Sequence, residues 1–141
     1  MIATALNYAQ ARMEALGYEE WEDDFNHENI PQNKLEDVYQ IEVGSISGGQ
    51  QNQYDLEILV PLKVYFFVAP KRDVLANRDS ALSALDTLVA AFVLGSNRLA
   101  YGSGLKDVRF KNAALEKLAD SNDNGMKVTA EFDALVIITA A

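Results

Sequence analysis

Residues 54–68 read YDLEILVPLKVYFFV, and every even-numbered position in this stretch is apolar. Strict alternation is typical of a β-strand that buries one face, because successive side chains point to opposite sides. At about 3.4 Å per residue the strand is about 50 Å long. A compact chain of this size has a radius of gyration of about 14 Å, hence a diameter of about 37 Å. The stretch therefore predicts a strand that either bends at Pro61 or leaves its domain to meet another chain.

Two other segments, residues 3–16 and 74–94, have the spacing of amphipathic helices. Each precedes a glycine, Gly17 or Gly95, that can supply a left-handed C-terminal cap. Two helices of this kind predict a layer that covers one face of a sheet.

Further strands are expected on both sides of the central one. Residues 38–43 alternate, and with residues 54–68 they form a long β-hairpin over residues 38–68. The polar, glycine-rich residues 44–53 are expected to be its mobile tip. Residues 106–139 contain the closing strands, although residues 113–119 are ambiguous between helix and strand.

We expect a single α+β domain over residues 1–141. Its two main amphipathic helices pack against a twisted sheet of four to five strands that includes the long hairpin. The sheet is expected to be mostly antiparallel, with a mixed sheet as the alternative. Residues 17–37 form an acidic connector between the first helix and the hairpin.

The net charge of −9 is unevenly distributed. Residues 14–37 carry nine acidic residues and a single basic one, Lys34. Because no basic stripe is available to neutralise phosphates, ordinary nucleic-acid binding is disfavoured. Such a segment is usually a solvated surface, although an acidic surface also suits a protein that must repel nucleic acid.

The composition favours a globular chain without a cofactor. There is no cysteine, so neither a disulfide nor a thiolate site is available. The longest apolar runs fall short of a membrane span, and the N-terminus lacks a basic segment followed by an apolar one. We expect a soluble, unexported protein with no membrane contact.

One motif has the complete pattern of a calcium-binding loop. Asp120, Asn122 and Asn124 could supply oxygen ligands, Gly125 the sharp turn, and Glu131 two further oxygens. However, the residues after the loop alternate like a strand, whereas this motif requires a helix there. A turn rich in Asp, Asn and Gly is the favoured interpretation, and a calcium-binding module remains the alternative.

Catalytic motifs are not apparent in the sequence. His27 is the only histidine, and no nucleophile elbow or phosphate-binding glycine motif is present. The acidic residues beside it, Glu22, Asp23, Asp24 and Glu28, are read as a surface loop rather than a cation site. We therefore expect a protein that is not an enzyme; an enzyme of unknown type ranks last.

Seven residues are candidates for contact with another subunit or partner. Side chains of the long strand that point away from the helices could pack across a subunit boundary, and arginines near the second helix could pair with acidic residues of a neighbour. Glycines in the hairpin tip would let the tip become ordered on a partner. These residues are Leu59, Tyr65, Phe67, Arg72, Arg78, Gly48 and Gly49.

The order of segments also resembles a known family. After the first helix come residues 25–31, FNHENIP, and residues 37–44, DVYQIEVG, followed by the polar loop, the long strand, the second helix and two closing strands. In this order and spacing the chain resembles the tail terminator (tail completion) proteins of long-tailed bacteriophages and related prophages. The resemblance covers most of the chain and depends on no invariant chemical motif.

The resemblance implies a structural protein of virion assembly. Such proteins form a homo-oligomeric ring, typically a hexamer, that binds the tail tube protein and ends tube polymerisation. The ring then presents the surface to which the head attaches through its connector or completion protein, and DNA passes through the lumen without specific binding. The implied location is the tail–head junction of the virion, and the host cytoplasm during assembly. Another ring component of the phage neck or tail is the alternative.

Overall fold

The computed structural model describes residues 2–68, 74–94, 104–118 and 125–139. Within these ranges the chain forms an α+β fold with two α-helices and one six-stranded mixed sheet. A six-residue 3₁₀ helix, Gln32–Asp37, precedes the second strand. The helices and strands are α1 (Ala3–Ala15), β1 (Glu19–Glu20), β2 (Val38–Val43), β3 (Ser47–Gln51), β4 (Asp55–Val68), α2 (Val74–Val93), β5 (Leu105–Lys117) and β6 (Met126–Thr139).

The sheet is larger than the four to five strands expected from the sequence. Its strand order is β1-β2-β4-β6-β5, and β3 pairs with β4. The β1–β2 pair is parallel, and the other pairs are antiparallel. The additional strands are β1, which has two residues, and β3, which lies in the segment expected to be the hairpin tip.

Residues 44–53, which the sequence predicts to be the mobile tip of the hairpin, contain a strand in their second half. Ser47–Gln51 form β3, and the chain reverses at residues 52–54. The Asn52 side-chain oxygen accepts hydrogen bonds from the backbone N–H groups of Tyr54 and Asp55, both at 2.8 Å. This Asx turn is the local cause of the reversal. The long hairpin thus has β2 and β3 on one side and β4 on the other.

The long strand pairs with β6 in one continuous register across its whole length. All fourteen residues of β4 pair with β6, from Asp55 opposite Thr139 to Val68 opposite Met126. No register shift occurs at Pro61, which lies opposite Asp133. The two strands form a ribbon about 48 Å long, so the proline does not shorten the strand.

Pro61 is tolerated because its missing N–H faces a gap in the neighbouring strand. The Pro61 carbonyl accepts a hydrogen bond from the Gly44 N–H at 2.9 Å, so the Pro61 nitrogen also points towards this side. Here β2 has ended and β3 has not begun. A Cβ atom on Gly44 would lie 3.2 Å from the Pro61 Cβ, so the close approach favours glycine.

Both helices pack on one side of the sheet, which we call the helix face. The even-numbered residues of β4 and β6 point to this face, and those from 58 to 68 and from 126 to 136 form the main core with the helices. The buried Tyr8 hydroxyl of α1 donates a hydrogen bond to the Phe92 carbonyl of α2 at 2.6 Å. The Phe92 ring stacks on Phe132 with 4.5 Å between ring centroids. These contacts fix the two helices to each other and to β6.

A second, smaller core lies on the opposite side of the sheet, which we call the outer face. Here the connector, residues 17–37, folds its apolar side chains over the end of β4. Trp21 and Phe25 pack against this group while remaining partly exposed. The buried members, which we call the connector cluster, are Ile30, Leu35, Val38, Phe67 and Leu118. The acidic connector is therefore anchored to the sheet by apolar contacts.

No helix among the residues described is both long and apolar enough to span a membrane.

Candidate subunit interface

Phe67 is not available to a partner in this conformation. Its side chain is 2% exposed and belongs to the connector cluster. The Phe25 ring lies 4.6 Å away from it, centroid to centroid, and the His27 ring approaches it at 6.5 Å. Phe67 does point away from the helices, as expected, but the connector covers it. The prediction that Phe67 lies at a subunit surface is wrong for this reason.

Tyr65 is half-buried and makes its contacts within its own chain. Its hydroxyl donates a hydrogen bond to the Glu42 carboxylate at 2.8 Å. The Lys127 ammonium lies 4.7 Å from the centre of its ring, a cation–π contact. Burial, followed by the hydrogen bond to Glu42, raises the pKa of Tyr65 to about 12. Tyr65 therefore connects β4 to β2 and β6 on the outer face.

The raised pKa of Tyr65 predicts a loss of stability in alkali. The folded chain holds the phenol proton more tightly than the unfolded chain, whose tyrosines titrate near 10.0. The contribution of Tyr65 to the free energy of unfolding is therefore complete below pH 10, and it is lost as the pH rises towards about 12. We expect Tyr65→Phe to make the decline in unfolding free energy between these pH values shallower. Urea unfolding of the variant and of the unmodified protein at a series of pH values measures this decline. Identical declines in the two proteins would contradict the prediction.

Leu59 lies on the part of the outer face that the connector does not reach. It pairs with Leu135 across the β4–β6 ladder, and Pro61 and Ile137 are its neighbours on the same face. All four are half-buried and belong to neither core. Charged pairs flank them: Lys63 with Glu131 at 3.6 Å, and Lys106 with Glu57. We call Leu59, Pro61, Leu135 and Ile137 the uncovered strip. Of the three β4 residues predicted to lie at an interface, Leu59 is the one that belongs to it.

The predicted arginines and glycines have different environments. Arg78 is exposed on α2 and pairs with its neighbour Asp79 at 3.0 Å. Arg72 lies outside the described residues. Gly48 and Gly49 are exposed on β3. A Cβ atom on Gly48 would meet nothing within 4 Å, whereas one on Gly49 would contact Glu57 at 3.4 Å.

The calcium-loop hypothesis is only partly covered by the structure. Asp120, Asn122 and Asn124 fall outside the described ranges, while Glu131 lies in the middle of β6. The Glu131 carboxylate pairs with Lys63 at 3.6 Å on the outer face. Across residues 2–68, 74–94, 104–118 and 125–139, no group of three or more His, Asp or Glu side chains is arranged to hold a metal ion. A calcium-binding loop stays the untested alternative to the favoured turn.

His27 and the acidic residues near it do not share one site. The His27 ring lies beside Phe67, and its Nε2 atom is buried without a hydrogen-bond partner. Phe25, His27 and Phe67 line a cavity of about 330 Å³ together with Lys117 and Lys127. The acidic group lines a separate surface depression, composed of Glu22, Asp23, Asp24, Asn29 and Gln40.

The two edges of the sheet were not predicted from the sequence. Large apolar side chains are exposed at both: Val43 and Ile46 beside β4 on one edge, and Phe110 on β5 at the other. The edges also differ in charge. β5 carries four basic and two acidic residues, whereas β1, β2 and β3 together carry three acidic residues and no basic one. Alternation indicates which face a residue occupies but not whether its strand is central.

No protein-family model matches the chain, and no curated protein matches it.

Proposed function

We propose that this chain is a structural subunit of a phage tail-terminator ring, which caps the tail tube and ends its polymerisation. The supporting observation is the uncovered half of the long β4–β6 ribbon. Leu59, Pro61, Leu135 and Ile137 are partly exposed there and lie outside both cores. A ribbon that extends past its own core is suited to be completed by neighbouring subunits or by the tube, because association buries apolar surface.

The acidity of the chain agrees with a passage for DNA. The net charge is −9, and the connector contains most of the acidic excess on a segment that is largely exposed. A ring of such subunits would repel the phosphate backbone and prevent DNA from adhering in transit. In this proposal the connector is a surface that keeps DNA moving rather than a binding site.

The proposed ring is a homo-oligomer, with a hexamer as the expected size. One of its faces contacts the tail tube protein, and the other receives the head through its connector or completion protein. The ring is assembled in the host cytoplasm and remains at the tail–head junction of the virion. No step of this function requires catalysis or a cofactor.

Electron microscopy of tail tubes tests this function directly. Tubes assembled from a phage tail tube protein of the same source are mixed with the purified chain and imaged. We expect ring-shaped density at one tube end and an arrest of further elongation. Leu135→Lys, which places a charge on the uncovered strip, should reduce capping at least tenfold. Ser83→Lys, at an exposed position of α2, is the matched control.

Tubes that stay uncapped and continue to grow would refute the proposal. Rings that bind only the isolated head connector would instead assign the chain to another position in the neck.

A further inference from the structure

We propose that copies of this chain join edge to edge, with β5 of one copy pairing with β3 of the next copy and with the part of its β2 that β1 leaves unpaired, residues 40–43. The occupant of each open sheet edge is thus a second copy of the same chain. This inference rests on the proposed ring and identifies the surface that would build it. Strand direction, side-chain rows, charge and edge protection each support it.

Strand direction permits this contact. From β2 to β4, from β4 to β6 and from β6 to β5, each step in the sheet is antiparallel. β2 and β5 therefore run in opposite directions, and β3 runs in the same direction as β2. When two copies stand side by side in the same orientation, β5 of one is antiparallel to β2 and β3 of the other. The sheet continues through the contact with the same pairing type.

The apolar side chains of one row meet at this contact. Val43 pairs with Leu62, Leu62 with Phe132, and Phe132 with Phe110, so these four residues cross the helix face in one row. The inner two are 1% and 0% exposed, whereas Val43 and Phe110 at the two ends are 39% and 41% exposed. Pairing of the edges would place Phe110 of one copy beside Val43 of the next. Both exposed ends would then be covered.

The charges of the two edges are complementary. β5 has a net charge of +2 and includes Lys111, while the opposite edge has −3 and includes Glu42. The row that begins at Glu42 continues through Lys63 and Glu131 to Asn112, the neighbour of Lys111. If neighbouring copies are not displaced along the strand direction, Lys111 therefore lies near Glu42 of the next copy. Contact between two identical edges would instead oppose like charges, which disfavours a two-fold dimer.

The edges also differ in how they are protected. β5 has two register shifts and many charged side chains, which are devices that prevent unspecific strand pairing. β3 has the sequence SGGQQ, without a charge or a proline, and all five residues are exposed. An edge of this kind readily accepts a further strand. The proposed contact supplies a strand of the same protein.

The alignment of the row from Val43 to Phe110 between neighbouring copies favours a closed ring. A head-to-tail contact produces a ring when successive copies are related by rotation alone, and a filament when each copy is also displaced. Alignment of Phe110 with Val43 keeps neighbouring copies level along the strand direction. The geometry therefore agrees with a ring rather than an open helix.

Disulfide trapping tests the contact, and the chain is suited to it because it contains no cysteine. Val43→Cys and Phe110→Cys are made separately, and the two proteins are mixed and oxidised, with and without tail tubes. Cα atoms of directly paired residues on adjacent strands lie about 4.5–5.5 Å apart, within disulfide range. We expect covalent dimers in the mixture and none with either variant alone. The chain with both substitutions should form a covalent ladder that ends at the ring size.

Within one chain the two cysteines cannot pair, because three strand spacings, about 14 Å, separate them. Leu75→Cys, exposed on α2, replaces Val43→Cys in the control mixture and should give no dimer with Phe110→Cys. Thermal melting of each variant verifies that it folds. Dimers of a single variant, or oligomers without any cross-link in the mixture, would overturn the edge contact.

The outcomes also separate this inference from the proposed function. Capped tubes without the expected cross-link would leave the function standing and overturn the edge contact. Cross-linked rings that do not cap tubes would support the contact and refute the function. Absence of both association and capping would overturn both.

Discussion

Phe132→Ala is expected to lower the free energy of unfolding by about 3–5 kcal/mol, the cost of deleting a fully buried aromatic ring. Phe132 is 0% exposed in the centre of the helix face. Its ring stacks on Phe92 at 4.5 Å and meets the edge of Phe110 at 5.7 Å. Alanine would leave a cavity between α2 and β6 that neighbouring rings fill only in part. For a chain of this size the melting temperature should fall by about 10–15 °C.

Chemical unfolding followed by circular dichroism measures this loss. Phe110→Ala is the matched control, since Phe110 lies in the same row of the sheet but is 41% exposed. It should cost about 1 kcal/mol, the scale of a partly exposed aromatic contact. Both variants are compared at a low, equal protein concentration, so that association does not contribute. Equal losses in the two variants would contradict the assignment of Phe132 to the core.

Phe67→Ala is expected to cost about 3 kcal/mol and, in addition, to release the connector from the sheet. The Phe25 ring packs against Phe67 with 4.6 Å between ring centroids, closer than its contact with Tyr65 at 6.3 Å. Without it the remaining members of the connector cluster, such as Ile30 and Leu35, lose much of the surface that holds them. The main core lies on the other face of the sheet and should stay folded.

Trp21 makes the release of the connector directly observable. It is the only tryptophan of the chain and packs against the connector cluster. We expect Phe67→Ala to shift its native-state fluorescence to longer wavelength and to speed hydrogen exchange in residues 19–37. Leu59→Ala, on the same strand and face but outside the cluster, is the control. Phe132→Ala provides the reverse case, lower stability with unchanged native fluorescence. An unchanged Trp21 spectrum in Phe67→Ala would contradict the anchoring role.

Periodicity was sufficient to predict the elements that bury one face. β4 and β6 alternate apolar and polar residues over long stretches, and both helices have helical spacing. It could not identify β3, because Ser47–Gln51 contains no apolar residue. That strand exists because β4 offers it a ladder of backbone hydrogen bonds. Local sequence does not encode a pairing of this kind.

The burial of Phe67 was missed although the sequence contains a signal for it. Phe66, Phe67 and Val68 are consecutive and apolar, which interrupts the alternation of the strand. A run of this type is typical of a strand covered on both faces. The cover comes from apolar residues spaced through an otherwise acidic segment, including Trp21 and Phe25. Their polar surroundings favoured the interpretation of a solvated connector.

The two proposed contact surfaces, the strip around Leu59 and the sheet edges, were predicted only in part, for a similar reason. Leu59 was identified because it is apolar on the polar side of an alternating strand. Val43 and Phe110 were not, since they occupy the buried side of their strands and differ from core residues only in lying at an edge. Strand order depends on long-range pairing that a single sequence does not specify.

The proline at the middle of β4 divides the neighbouring strand into two parts with separate energetics. Pro61 offers no donor on the side where β2 ends, so no continuous ladder connects β2 to β3. β2 is tied to both cores, whereas β3 is attached to the exposed half of the ribbon alone. β3 can therefore detach and re-form as a unit of its own, without loosening the residues that keep the subunit folded. Pro61 thus makes the stability of the fold independent of rearrangement at the β3 edge of the sheet.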